Sequence, residues 1–192
     1  MGKSLKTSTI LGVIGLSLSL TVASCQSIGP NRSAEEYTQL GMAKMAGGDY
    51  KGALREFDAA LRLDSQNPNL LVSRGLARVK MGQLLMAIDD YTLALEQNPD
   101  FYEALVYRGT ANNQLLQQQQ ALVDFSQAIA LRPKSAAALA NRAVTYYSLG
   151  QVQEAIADLE EAKAIHQENG DTIKVKEVEL LLQDYQTESS QN

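Results

Sequence analysis

The 192-residue sequence has no tryptophan, one cysteine, one histidine, three phenylalanines and four prolines. Each shortage excludes something. A lone cysteine, Cys25, permits neither an internal disulfide nor a cysteine-rich metal site. A lone histidine, His166, at the end of a helical stretch, leaves no partner for acid–base or nucleophilic chemistry. There is no glycine-rich phosphate loop and no metal-ligand spacing. No catalytic residue, metal or cofactor is therefore expected, and the chain does not read as an enzyme. A basic surplus is missing too: 17 Lys and Arg stand against 22 Asp and Glu. Nucleic-acid affinity and polybasic membrane patches both rest on Lys and Arg, so neither is expected. The adjacent acids Asp89-Asp90 and Glu160-Glu161 do not face one another on a helix and read as a solvated surface. With so little proline, long stretches are free to be helical.

The first thirty residues read as an address. Lys3 and Lys6 precede an apolar run, Ile10 to Leu20. That run is shorter than the ~20 residues a spanning helix needs, but suits a secretory signal peptide. Val22-Ala23-Ser24-Cys25 follows. The four residues resemble the bacterial lipobox: an aliphatic residue, two small ones, then the cysteine that takes lipid. The resemblance implies cleavage after residue 24 and acylation of Cys25, with diacylglyceryl and palmitate-type chains. An ordinary signal peptide ending near a cysteine is the other reading. Several acyl chains anchor stably where one does not. Residues 25–33 then form a lipidated tether, of which the eight after Cys25 reach at most about 26–29 Å when extended.

The remainder is periodic. Ala53, Ala87, Ala121 and Ala155 recur every 34 residues, and each has a second alanine seven positions later: Ala60, Ala94, Ala128 and Ala162. Between them stand Phe57, Tyr91, Phe125 and Leu159; upstream come Gly41, Gly75, Gly109 and Ala143. Every period holds two segments with apolar residues three and four apart, hence two amphipathic helices. Ser33 with Glu36 forms a capping box, and Asn67-Pro68 places an N-cap before a first-turn proline. A single helix pair does not bury its apolar face; stacking at least three does.

This pattern resembles the tetratricopeptide repeat. The resemblance implies an all-α, right-handed superhelical solenoid with repeats at 34–67, 68–101, 102–135 and 136–169. Three departures stand out. The family's leucine before the small residue is kept only as Leu40, with Arg74, Arg108 and Arg142 elsewhere. Its tyrosine three positions after the small residue survives only as Tyr146, and its turn glycine is replaced by Leu116 in the third repeat. The arginines are expected to alter what the surface binds. After Gly170, Val178, Leu181, Leu182 and Tyr185 make one apolar face, so 170–186 reads as a capping helix, or else as a dimerisation or partner helix. Residues 187–192 read as a disordered tail.

In tetratricopeptide arrays the first helix of each pair lines a concave groove. By register the groove candidates are Met42, Met45, Val72, Leu76, Val106, Tyr107, Thr110, Asn141, Val144 and Tyr147, unless some simply pack between helices. Chaperone-binding members clamp a C-terminal carboxylate with basic and asparagine side chains. The matching slots here hold Thr38, Met42, Ser73, Glu103 and Tyr107, so that clamp is absent. With the lipobox, the resemblance implies a bacterial lipoprotein of the cell envelope, facing the periplasm, with the outer membrane preferred over the inner. Its partners would be other proteins, in an adaptor or scaffold role. The second reading is a periplasmic module that captures a peptide or small ligand.

Overall fold

The computed structural model describes residues 32–189, all of whose regular elements are helices. They run α1 (Ala34–Ala46), α2 (Tyr50–Leu63), α3 (Pro68–Lys80), α4 (Leu84–Gln97), α5 (Tyr102–Gln114), α6 (Gln118–Leu131), α7 (Ala136–Ser148), α8 (Val152–Glu168) and α9 (Thr172–Ser189). The expected signal peptide, Cys25 and all but the last two tether residues lie outside the described residues. No described helix is long and apolar enough to cross a membrane.

Local chemistry sets the helix ends. The Ser33 side chain accepts from the Glu36 amide while Glu36 reaches back to the Ser33 amide, completing the capping box. Asn67 caps α3 ahead of Pro68, Ser135 caps α7, and Asp171 accepts from the Lys174 amide at the start of α9. The turn inside each helix pair needs a left-handed residue. Gly48, Gly82 and Gly150 supply it at φ 78°, 73° and 74°. Leu116 occupies the same slot at φ 59°, which its Cβ makes costly.

The small–aromatic pairs form the core of each repeat. A Cβ at Gly41 would lie 2.5 Å from Phe57 Cε1, one at Gly75 2.5 Å from Tyr91 Cε1, and one at Gly109 2.8 Å from Phe125 Cε1. These glycines are the space the rings occupy. In the fourth repeat Ala143 keeps its Cβ, and its partner is the smaller Leu159; both are fully buried. The alanines at 53, 60, 87, 94, 121, 128, 155 and 162 are likewise 0% exposed, so neighbouring helices approach to methyl contact.

Three expectations need correction. Asp90 is 0% exposed, not solvated, although Asp89 beside it is exposed. Consecutive helical residues point about 100° apart, which lets Asp90 face inward beside an exposed Asp89, whereas Glu160 and Glu161 are both exposed as expected. The α9 helix runs to Ser189, so the tail expected from Thr187 is helical over its first three residues. Val178, Leu182 and Tyr185 are buried as the period requires, while Leu181 sits at the edge of that face, 36% exposed.

Candidate interaction surfaces

The groove candidates divide into three groups. Met42, 57% exposed, and Met45 stand with Leu76, Ser73 and the ring of Phe57 around a cavity of about 170 Å³ between α1 and α3. One repeat further on, Tyr107 occupies the position of Ser73 and lies over Tyr91, ring centroids 5.9 Å apart at 35°. There the large side chain fills the space that serine leaves open. Val106, Thr110 and Asn141 are half-buried, the Thr110 hydroxyl donating to the Val106 carbonyl at 2.8 Å, and Val144 is 43% exposed.

Two candidates are not groove surface. Val72 is 7% exposed and belongs to the core with Leu71 and Leu95. Tyr147 stacks face to face on Tyr185 of α9, centroids 3.7 Å apart at 4°. The C-terminal helix therefore takes up the surface Tyr147 offers. The period placed Tyr147 on the concave side but gave no sign of where α9 would lie.

The arginines do not alter an open surface; they form a ladder. Arg74 donates from Nε and Nη2 to Asp90, at 3.1 and 2.6 Å, and from Nη1 to Asp58 at 2.8 Å. Arg108 repeats this with Asp124, Nη2 at 2.6 Å, and with the Thr92 hydroxyl at 3.2 Å. Arg142 pairs with Asp158, at 2.8 Å from both nitrogens, and with the Ser126 hydroxyl at 3.3 Å. Each guanidinium thus joins the second helix of the preceding repeat to the second helix of its own. Burial pushes the Asp90 carboxyl up, against the pull of Arg74 and Arg78. Both signs recur at the repeat period, Arg at 74, 108 and 142 and Asp at 90, 124 and 158, and that shared period was the signal available in the sequence. Tyr91 is the exception to this satisfaction of buried polar groups. Among the described residues its hydroxyl is buried without a hydrogen-bond partner, and burial raises its pKa above the usual phenol range.

Comparison with known proteins agrees with this architecture. Family models match over residues 41–82 ("TPR repeat") and 135–169 ("Tetratricopeptide repeat"); one for anaphase-promoting complex subunit 5 matches 78–135. No curated protein sequence matches the chain. Among solved structures, MamA from Desulfovibrio magneticus superposes with a TM-score of 0.65 at 18% identity, covering 81% of this chain and 96% of that one. A thermophilic TPR protein of Thermus thermophilus gives 0.66 at 22% identity, covering 82% and 83%. The first TPR of Spaghetti (RPAP3), bound to the HSP90 peptide SRMEEVD, gives 0.60 at 23% identity, covering 62% and 94%. At these identities the likeness is one of fold.

Proposed function

The chain is a tetratricopeptide repeat protein, a fold that supports protein–protein interaction, and from that premise we propose that it is a lipid-anchored scaffold of the bacterial cell envelope. Its concave face takes an extended segment of a partner protein. The observation that carries this reading is the cavity between α1 and α3. Met42, Met45, Phe57 and Leu76 give it apolar walls, and at about 170 Å³ it is close to the ~150 Å³ apolar cavity that accepts benzene. That is room for one large apolar side chain, and thioethers adapt to several shapes. The acid-tailed peptide bound by the RPAP3 domain is a poor guide to the ligand. The slots that would hold a carboxylate carry Thr38, Met42, Ser73, Glu103 and Tyr107, none of them cationic.

Ser73→Tyr tests the groove. It introduces the residue already tolerated at Tyr107, filling the cavity without removing core. Crosslinking in cells followed by mass spectrometry should lose partners from the variant while thermal melts stay unchanged. The same partners at the same yield would place binding elsewhere. Capture of a single short peptide in place of a large assembly would favour the ligand-capturing module over the scaffold. The anchor is tested separately. Cys25→Ala should abolish metabolic labelling by a fatty-acid analogue, and equal labelling of variant and wild type would end the lipoprotein reading.

A further inference from the structure

The repeats agree at most core positions but differ at one, three residues after each small residue: Lys44, Arg78, Asn112 and Tyr146. Three of the four are long. Lys44 reaches Glu56; Arg78 pairs with Asp90 at 2.8 Å and donates to the Met86 carbonyl at 3.0 Å. Tyr146 lies with its ring 5.6 Å from the Arg142 guanidinium and packs, like Val152 and Ile156, against the buried cluster around Ala143 and Leu159. Asn112 is short, reaching only Asp124, at 3.3 Å. Over it a cleft of about 350 Å³ opens between α4 and α6, floored by Arg108 and Asp124 and walled by Ile88, Thr92, Gln117 and Val123.

The fourth repeat shows what such a cleft holds. Its floor has the same chemistry as that of the third. Arg142 pairs with Asp158 and a hydroxyl, as Arg108 pairs with Asp124 and a hydroxyl. Each floor is one cation against one anion, with no charge left over to attract an ion. Over that floor the fourth repeat places an aromatic ring. A basic occupant is seen over a different floor, in the second repeat, where Asp58 adds a second carboxylate.

The rim is apolar and exposed. Val123 is 66% exposed. Leu116, next in the chain to the wall residue Gln117, is 77% exposed and held in the left-handed conformation that glycine occupies in the other repeats. A bulky apolar side chain kept at a strained, solvated position contributes little to the free fold.

We infer that this convex cleft is a socket for a tyrosine side chain of a partner protein, which stacks on Arg108 where the chain's own residue is too short to do so. Leu116 and Val123 brace the residues flanking that tyrosine. The face is separate from the concave groove, so the inference does not depend on the groove binding anything.

The test uses blocked tripeptides as probes, Gly-Tyr-Gly, Gly-Leu-Gly and Gly-Arg-Gly, titrated against the full chain with methyl-labelled Ile, Leu and Val. The tyrosine peptide should shift the Ile88, Val123 and Leu116 methyls saturably, and bind about tenfold tighter than the other two, as a partly desolvated cation–π contact provides. Asn112→Tyr, which rebuilds the fourth-repeat arrangement in the third, should abolish those shifts. Should that variant fail to fold, Val123→Asp at the exposed rim gives the second reading and should weaken binding with the melt unchanged. The inference is overturned if the tyrosine peptide gives no saturable shift at these methyls. It is equally overturned if the arginine peptide binds as well, or if the folded variants bind like wild type.

Discussion

Replacing Gly75 by alanine sets two effects of known sign against each other. Inside a helix, glycine to alanine gains about 1 kcal/mol from backbone entropy. Here the new methyl would stand 2.5 Å from Tyr91 Cε1 and 2.9 Å from Cζ. The ring has no free side to retreat to: it is 0% exposed and Tyr107 lies against it. Overpacking of this kind costs about 1–3 kcal/mol, and so tight a contact belongs near the upper end. The net expectation is a loss of about 1–2 kcal/mol. Tyr91→Leu alone should lose about 2–4 kcal/mol through the cavity it leaves, less whatever is recovered by removing an unpaired hydroxyl. The double variant recreates the Ala143–Leu159 pair of the fourth repeat, so the two changes should couple favourably by about 1–2 kcal/mol. Urea titration followed by circular dichroism measures this, and both midpoint and slope are needed because a solenoid spreads local damage to its neighbours. A raised midpoint in Gly75→Ala, or effects that simply add in the double variant, would refute the account of glycine as space for the ring.

Leu116→Gly should raise the melting midpoint by the equivalent of about 1 kcal/mol, since it removes a left-handed penalty and little packing; a lowered midpoint would show that the exposed leucine packs to some purpose in the free protein. Tyr91→Phe should be stabilising at neutral pH by about 1 kcal/mol, because the buried hydroxyl loses its hydration without gaining a partner. The advantage should widen at alkaline pH. The folded phenol is raised by burial, so the stability it contributes is complete below the unfolded value near 10 and declines above it. Paired melts of wild type and variant across that range give the check, and a constant difference would mean the hydroxyl reaches solvent.

What the sequence made legible follows from spacing. A repeat of constant length fixes which residues occupy equivalent environments, so the alanines, the Gly–aromatic pairs and the caps at Ser33 and Asn67 all fall where the period puts them. Side chains whose surroundings come from another element were harder to read. Arg74, Arg108 and Arg142 look like departures from an apolar position when each is considered within its own helix. Their partners lie sixteen residues away in both directions, on two other helices. Asp90 has Asp89 as its neighbour in sequence, but its partner in space is Arg74. Tyr147 shared the groove register with Tyr107, but its fate is decided by α9, which does not follow the repeat and whose docking no period describes.

The ladder also explains why a family position that is usually leucine tolerates charge here. Asp90, Asp124 and Asp158 are 0%, 2% and 6% exposed. Unpaired, each would cost several kcal/mol; paired, each roughly breaks even against an apolar replacement. Their effect is therefore on register more than on net stability. Sliding one helix pair by a turn would leave an apolar contact nearly as good as before, because alanine and leucine recur along every stripe. The same slide would strand a buried carboxylate and a guanidinium together. The triads span α2 to α4, α4 to α6 and α6 to α8, so every step of the stack is pinned by one. The first repeat has Leu40 at the arginine position and keeps only the Lys44–Glu56 pair between its own two helices. Among the described residues no second helix precedes α1 for an arginine to reach, so the one place where leucine persists is the one place where they offer a three-helix bridge nothing to span.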